Sequence, residues 1–129
     1  MAVELRNVDT LAPPPGYSHV AVGRGGTVVF TAGAVPLDAR GDLVGQGDPV
    51  AQAEQVIENL LAALQTGGAQ PQDVAKTTVY VAGGYEAQSA VWQVVRISEL
   101  GRAPSTLVGV PTLGYRGQLV EVEAIALID

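Results

Sequence analysis

Two runs of this chain, TVVF (27–30) and TLVGV (106–110), are apolar at successive positions and do not alternate. A strand with one face in water alternates, so runs of this kind imply a sheet buried on both faces. Only two stretches carry helical periodicity. The first opens at Asp48, a capping residue, with Pro49 in the first helical position. It sets Ala53, Val56, Ile57, Leu60 and Leu64 on one stripe before Gly67 and Gly68 stop it. The second runs from Tyr85 to Leu100, ends at Gly101, and turns Val91, Trp92, Val95 and Leu100 inward. Two helices cover one face of a sheet. The other face needs a cover that the chain does not contain, so the sequence predicts a homo-oligomer packed sheet against sheet.

The remaining segments fill in the order. SHVAV (18–22) and TVVFTAG (27–33) flank the glycine turn GRGG (23–26) and read as a hairpin. The turn-rich stretch 35–47 holds a short edge strand around Leu43 and Val44. DVAKTTVYVA (73–82), STLVGV (105–110) and QLVEVEAIALI (118–128) are the later strands. The expectation is a single α+β domain over residues 1–129 in the order β-β-β-α-β-α-β-β, a mixed sheet with two helices on one face.

Composition removes several classes of function. With net charge −6 and scattered basic residues, the chain has no stripe that would attract RNA or DNA. It has no cysteine, which excludes disulfides and thiolate chemistry. The N-terminal stretch lacks the apolar core of a signal peptide, and no run reaches the roughly 20 apolar residues that span a bilayer. A cytoplasmic protein with no membrane partner is expected. His19 is the one histidine, so no His-based metal cluster forms within a chain, and no metal site is assigned. His19 itself reads as a packing or surface residue more readily than as a chemical one. Nucleophile elbows and phosphate-binding glycine loops are absent; the glycines read as turn residues.

The last strand holds the most informative pair. Glu121 and Glu123 are two apart and share a face with Leu119 and Ile125, while Val120, Val122 and Ala124 take the other. Carboxylates on so apolar a strand are costly unless they line a polar pocket or meet a cation. One reading makes one of them a general base or water-orienting group. The other makes them an exposed strand end, or partners of a neighbouring subunit's arginine. Trp92 reads as core before it reads as a ligand platform. Tyr17 stands at the mouth of the first strand after Pro15 and Gly16.

GYSHVAV (16–22), VFTAGAVPLD (29–38), QAEQVIENLLAALQTGGA (52–69), DVAKTTVYV (73–81), APSTLVGV (103–110) and LVEVEAIA (119–126) follow one another along the chain. In these pieces, and in their order, it resembles the RidA/YjgF family of reactive-intermediate deaminases, labelled endoribonuclease L-PSP in older usage. The resemblance implies a chorismate-mutase-like fold and a homotrimer with small-molecule clefts between subunits. It also implies hydrolysis of enamines and imines such as 2-aminoacrylate and 2-iminopropanoate to a 2-keto acid and ammonia, without cofactor. By position, Tyr17 matches the cleft tyrosine, Gly33 the backbone contact of the (S/T)-x-G motif, here TAG, and Glu121 the glutamate that orients water.

The departure lies at 103–107. Where active deaminases read P-A-R-(S/T), with the arginine gripping the substrate carboxylate, this chain has Ser105, followed by Thr106 and Leu107. The family's helix asparagine has its place near Val91 and Trp92 and is missing. Arg102, three residues back, or Arg24 or Arg116 from a neighbour, are the candidate replacement cations. An Arg–carboxylate pair contributes roughly 1.5–3 kcal/mol and a neutral hydroxyl about 0.5–1.5, so the exchange weakens binding of an acid roughly ten- to thirtyfold. The expected function is hydrolysis of imine- or enamine-type metabolites other than the usual small 2-imino acid. Ser105, Thr106, Leu107, Trp92 and Arg102 join Tyr17 and Gly33 in binding, and Glu121 orients water. The alternative is a non-catalytic ligand-binding trimer. An endoribonuclease stands third, against the acidic charge and the single histidine.

Overall fold

The strongest helix signal in the sequence is realised residue for residue. Asp48 accepts a hydrogen bond from the Ala51 amide at 3.1 Å, Pro49 opens the helix, and α1 runs Pro49–Thr66 before Gly67 ends it. The computed structural model describes residues 2–129. Its other elements are β1 (Val3–Arg6), β2 (Val20–Gly23), β3 (Thr27–Phe30), β4 (Val74–Ala82), α2 (Tyr85–Ile97), β5 (Ser105–Val110) and β6 (Val120–Ile128). A 3-10 turn, Pro71–Asp73, leads into β4.

Strands β3, β6, β4 and β5 form one sheet in that order. β4 and β5 are parallel, with α2 supplying the crossover that parallel neighbours need, and the other pairings are antiparallel. Both helices lie on one face. There Val56, Leu60 and Leu64 of α1 and Val91 and Val95 of α2 are buried with Val79, Val81, Val120, Val122 and Ala126. The α+β class and the placing of two helices on one face of a mixed sheet are as the sequence predicts.

Three local expectations are corrected. The segments either side of GRGG do not pair with each other: β2 takes β1 as its partner in a separate two-stranded ribbon, and β3 pairs with the far end of β6. The glycines still turn the chain, but the backbone bonds of both strands are claimed by segments distant in sequence. The stretch at Leu43 and Val44 is no strand, since it makes only an isolated bridge between Leu37 and Leu43. The third strand before α1 is instead β1, at the start of the chain. α2 stops at Ile97, short of Leu100, because the Ser98 hydroxyl donates to the Val95 carbonyl at 2.6 Å and turns the chain.

The face away from the helices is open within one chain. Phe30 is 73% exposed, and Val28 and Val108 are also exposed. The helix-side core gives the fold its stability. Leu60→Ala is expected to cost about 2–5 kcal/mol and Asp48→Ala about 1 kcal/mol. Urea unfolding of the two variants checks the pair, and a smaller loss at Leu60 than at Asp48 would contradict this assignment of the core.

Candidate functional site

Side chains alternate along β6, so Val120, Val122, Ala124 and Ala126 fill the core while Glu121 and Glu123 point to the open face. In register, Glu121 lies beside Tyr80 of β4, and Tyr80 beside Val108 of β5. The loop after β3 is fastened to β6 through Ala34, whose amide donates to the Val122 carbonyl at 2.7 Å and whose carbonyl accepts from the Val122 amide at 3.2 Å. That fastening brings Gly33 over the Glu121 carboxylate. A Cβ at position 33 would overlap Glu121 Oε2 and lie 2.6 Å from its Cδ, so a side chain there would push the carboxylate out of this orientation. The other carboxylate oxygen, Oε1, accepts from the Gln118 side-chain amide at 3.0 Å.

The neighbouring polar groups on this face are tied together. The Tyr80 hydroxyl donates to Glu123 Oε1 at 2.6 Å, and Lys76 Nζ donates to Thr106 Oγ1 at 2.7 Å. Thr106 stands beside Thr78, and Thr78 beside Glu123. The hydrogen bond to Glu123 pushes the Tyr80 phenol above the usual tyrosine range, with burial and the two glutamate charges adding to it.

Ser105 and Leu107 point the other way. Ser105 pairs in register with Thr77, and Thr77 with Ala124, which puts Ser105 on the helix side of the sheet. Its hydroxyl accepts from Thr77 Oγ1 at 2.8 Å. There it lines a pocket of about 170 Å³ with Leu107, Pro15, Tyr17 and Trp92. The Trp92 indole donates to the Pro15 carbonyl at 2.9 Å, and the Tyr17 ring meets it edge-on at 5.9 Å. Trp92 is therefore only partly buried, at the rim of the core.

The candidate residues thus fall into three places. Glu121, Gly33 and Thr106 belong to the open face; Tyr17, Trp92, Ser105 and Leu107 share the small pocket. Arg102 joins neither group. It lines a separate cavity of about 660 Å³ with Val3, Glu4, Leu5 and Glu99, and its carbonyl accepts from the Ser18 amide at 2.9 Å. Arg24 and Arg116 are exposed. His19 is a structural clasp: Nδ1 accepts from the Val8 amide at 3.0 Å, which leaves Nε2–H to donate to the Ala12 carbonyl at 3.1 Å. Among the described residues no three His, Asp or Glu side chains gather as metal ligands. No helix among them is long and apolar enough to cross a membrane.

Three contributors escaped the sequence reading. Tyr80 was discoverable, since the alternation of KTTVYV sets Lys76, Thr78 and Tyr80 on one face. Gln118 and Arg96 carry no motif. Arg96 packs its alkyl chain under the backbone of Gly16, one helical turn beyond Trp92.

The family model described as endoribonuclease L-PSP matches residues 8–128. A protein of the conserved Rid family, YyfB from Yersinia pestis, is 32% identical, with a TM-score of 0.88 over 99% of this chain and 100% of that one. The 3-aminoacrylate deaminase RutC of Acinetobacter baylyi is 30% identical over 69 residues, 54% of this chain and 55% of its own length. The 2-iminobutanoate/2-iminopropanoate deaminase of Salmonella typhimurium is 39% identical over 56 residues, 43% of each chain. The chain spans about half the length of most of the curated relatives it matches.

The Tyr80–Glu123 bond has a pH signature. The folded state holds the phenolic proton more tightly than the unfolded chain, so this contribution is complete below the ordinary tyrosine value, about 10. It is lost as pH rises through the raised value. Urea midpoints followed from neutral to alkaline pH are expected to fall less steeply in Tyr80→Phe than in the parent, and equal slopes would contradict the bond.

Proposed function

Because the chain belongs to the endoribonuclease L-PSP (RidA/YjgF) family, we propose that it hydrolyses imine- or enamine-type small molecules in a cleft completed between two copies. One observation carries this reading. Glu121 and Ser105 stand on opposite faces of the same sheet, so no molecule of metabolite size touches both within one chain. A second copy laid against the open face brings its own Tyr17–Trp92–Ser105–Leu107 pocket to the first copy's Glu121. The exposed Phe30, Val28 and Val108 give that packing its driving force. A homotrimer closes such a head-to-tail contact without leaving an unpaired face. The deaminase relatives supply the reaction class.

In the proposed reaction Glu121 accepts a hydrogen bond from water and takes up a proton as the oxygen adds to the imine carbon. The protonated carboxyl then returns that proton to the nitrogen of the tetrahedral adduct. The adduct's hydroxyl then passes its own proton through Glu121 to the nitrogen as the C–N bond breaks, so that ammonia and a carbonyl product leave. Among the described residues no cation lines the pocket at Ser105, which favours a substrate without a carboxylate at that end over the small 2-imino acids. The same feature supports the second reading, a trimer that binds small ligands and has lost turnover. An endoribonuclease reading has the net charge of −6 against it.

A panel of imines generated in situ, acids and neutral compounds together, tests the proposal through ammonia release. Glu121→Gln is expected to lower the rate by about 10²–10⁴-fold. Ser105→Arg is expected to raise kcat/KM for 2-iminopropanoate roughly ten- to thirtyfold. No rate above buffer across the panel would leave the binding reading in its place, and a monomeric mass in solution would overturn the shared cleft.

A further inference from the structure

We propose that Gln118 is the positioning residue for Glu121, holding the carboxylate in one orientation through a neutral donor. Gln118 is 3% exposed, just ahead of β6. Its Nε2 donates to the Val120 carbonyl and to Glu121 Oε1, both at 3.0 Å, and its Oε1 accepts from the Tyr115 amide at 3.1 Å. These partners leave the amide one orientation. Turned over, its oxygen would face two acceptors and its NH₂ would face a backbone donor.

The turn that carries Gln118 is itself fastened to the core. Gln52, fully buried on α1, accepts from the Leu119 amide at 2.7 Å and donates to the Gly45 and Gly117 carbonyls, each at 3.0 Å. The Gln118 amide donates to the Tyr115 carbonyl at 3.0 Å and closes the turn. Through the backbone of Gly117–Leu119, these hydrogen bonds therefore link the first turn of α1 to a carboxylate on the opposite face of the sheet.

Among the described residues Glu121 has no ion-pair partner, the one salt bridge being Arg6–Glu4. A cation here would neutralise the charge that attracts water's proton, whereas the amide orients the carboxylate and leaves its charge in place. With Gln118 on Oε1 and Gly33 under Oε2, the carboxylate is confined from both sides.

This inference rests on Glu121 acting on water, and two measurements separate the two claims. The first is a double-mutant cycle with Gln118→Met and Glu121→Gln. Gln118→Met is expected to lower kcat about ten- to a hundredfold with KM little changed, and to cost nothing more once Glu121 is already Gln. Losses that multiply, or a change confined to KM, would overturn positioning. The second needs neither turnover nor a Gln118 variant. In ¹⁵N spectra the Gln118 side-chain amide protons are expected to be protected from exchange and shifted apart. Glu121→Ala should release one of them while the fold is kept. Free-amide shifts in the parent protein, or none changed by Glu121→Ala, would overturn the proposal even if the imine panel shows no rate.

Discussion

The alternation of side chains along β6 is the constraint from which the rest of the site follows. A strand with a period of two cannot send Val122 into a helix-covered core without sending Glu121 and Glu123 to the other face. A one-residue slip in register would bury both carboxylates under α1 and α2, so the core fixes where the acids stand. β5 obeys the same rule with the opposite result. Its pairing with β4 directs Ser105 and Leu107 to the helix side, and Thr106 and Val108 to the open side. The two halves of the candidate site are separated by the thickness of one sheet.

Burial then decides how the polar groups are managed. Among the described residues Gln52, Thr77 and Gln118 are the buried polar ones, and each meets a partner: backbone groups for Gln52, Ser105 for Thr77, and Tyr115, Val120 and Glu121 for Gln118. Buried polar groups persist only when satisfied. On the open face Tyr80 with Glu123 and Lys76 with Thr106 do the same. Apolar residues flank them at Phe30, Val28 and Val108. A surface of that composition is suited to closing against another protein surface, with its hydrogen bonds already made.

Much of this was legible in the sequence, and the remainder failed for definable reasons. α1 could be read to its ends because capping at Asp48, the stripe Ala53–Leu64 and the glycine stop are local signals, whereas α2 was legible only in its apolar stripe and not in its end at Ile97. The faces of β6 were equally readable, being arithmetic on VEVEAIA. The supposed hairpin at 18–33 failed because strand partners are chosen at long range: nothing near GRGG announces that β1 will claim β2 or that β6 will claim β3. VELR is short and mixed in polarity, which hid β1. Arg102 looked close to Ser105 by three residues of sequence, but the turn before β5 sends it to the cavity beside β1. Gln52 and Gln118 act through partners 67 and 3 residues away, a pairing without a sequence signature.

A mixed-oligomer experiment tests the division of the site between copies most directly. Glu121→Ala spoils one half of the cleft and Ser105→Trp fills the other, so either variant alone should be inactive. Unfolded together and refolded at equal amounts, they should recover roughly a quarter of the parent activity, since random closed assembly returns that share of sites with both halves intact. A mixture as inactive as its components, in assemblies shown to contain both chains, would place Glu121 and Ser105 in different sites and contradict the account.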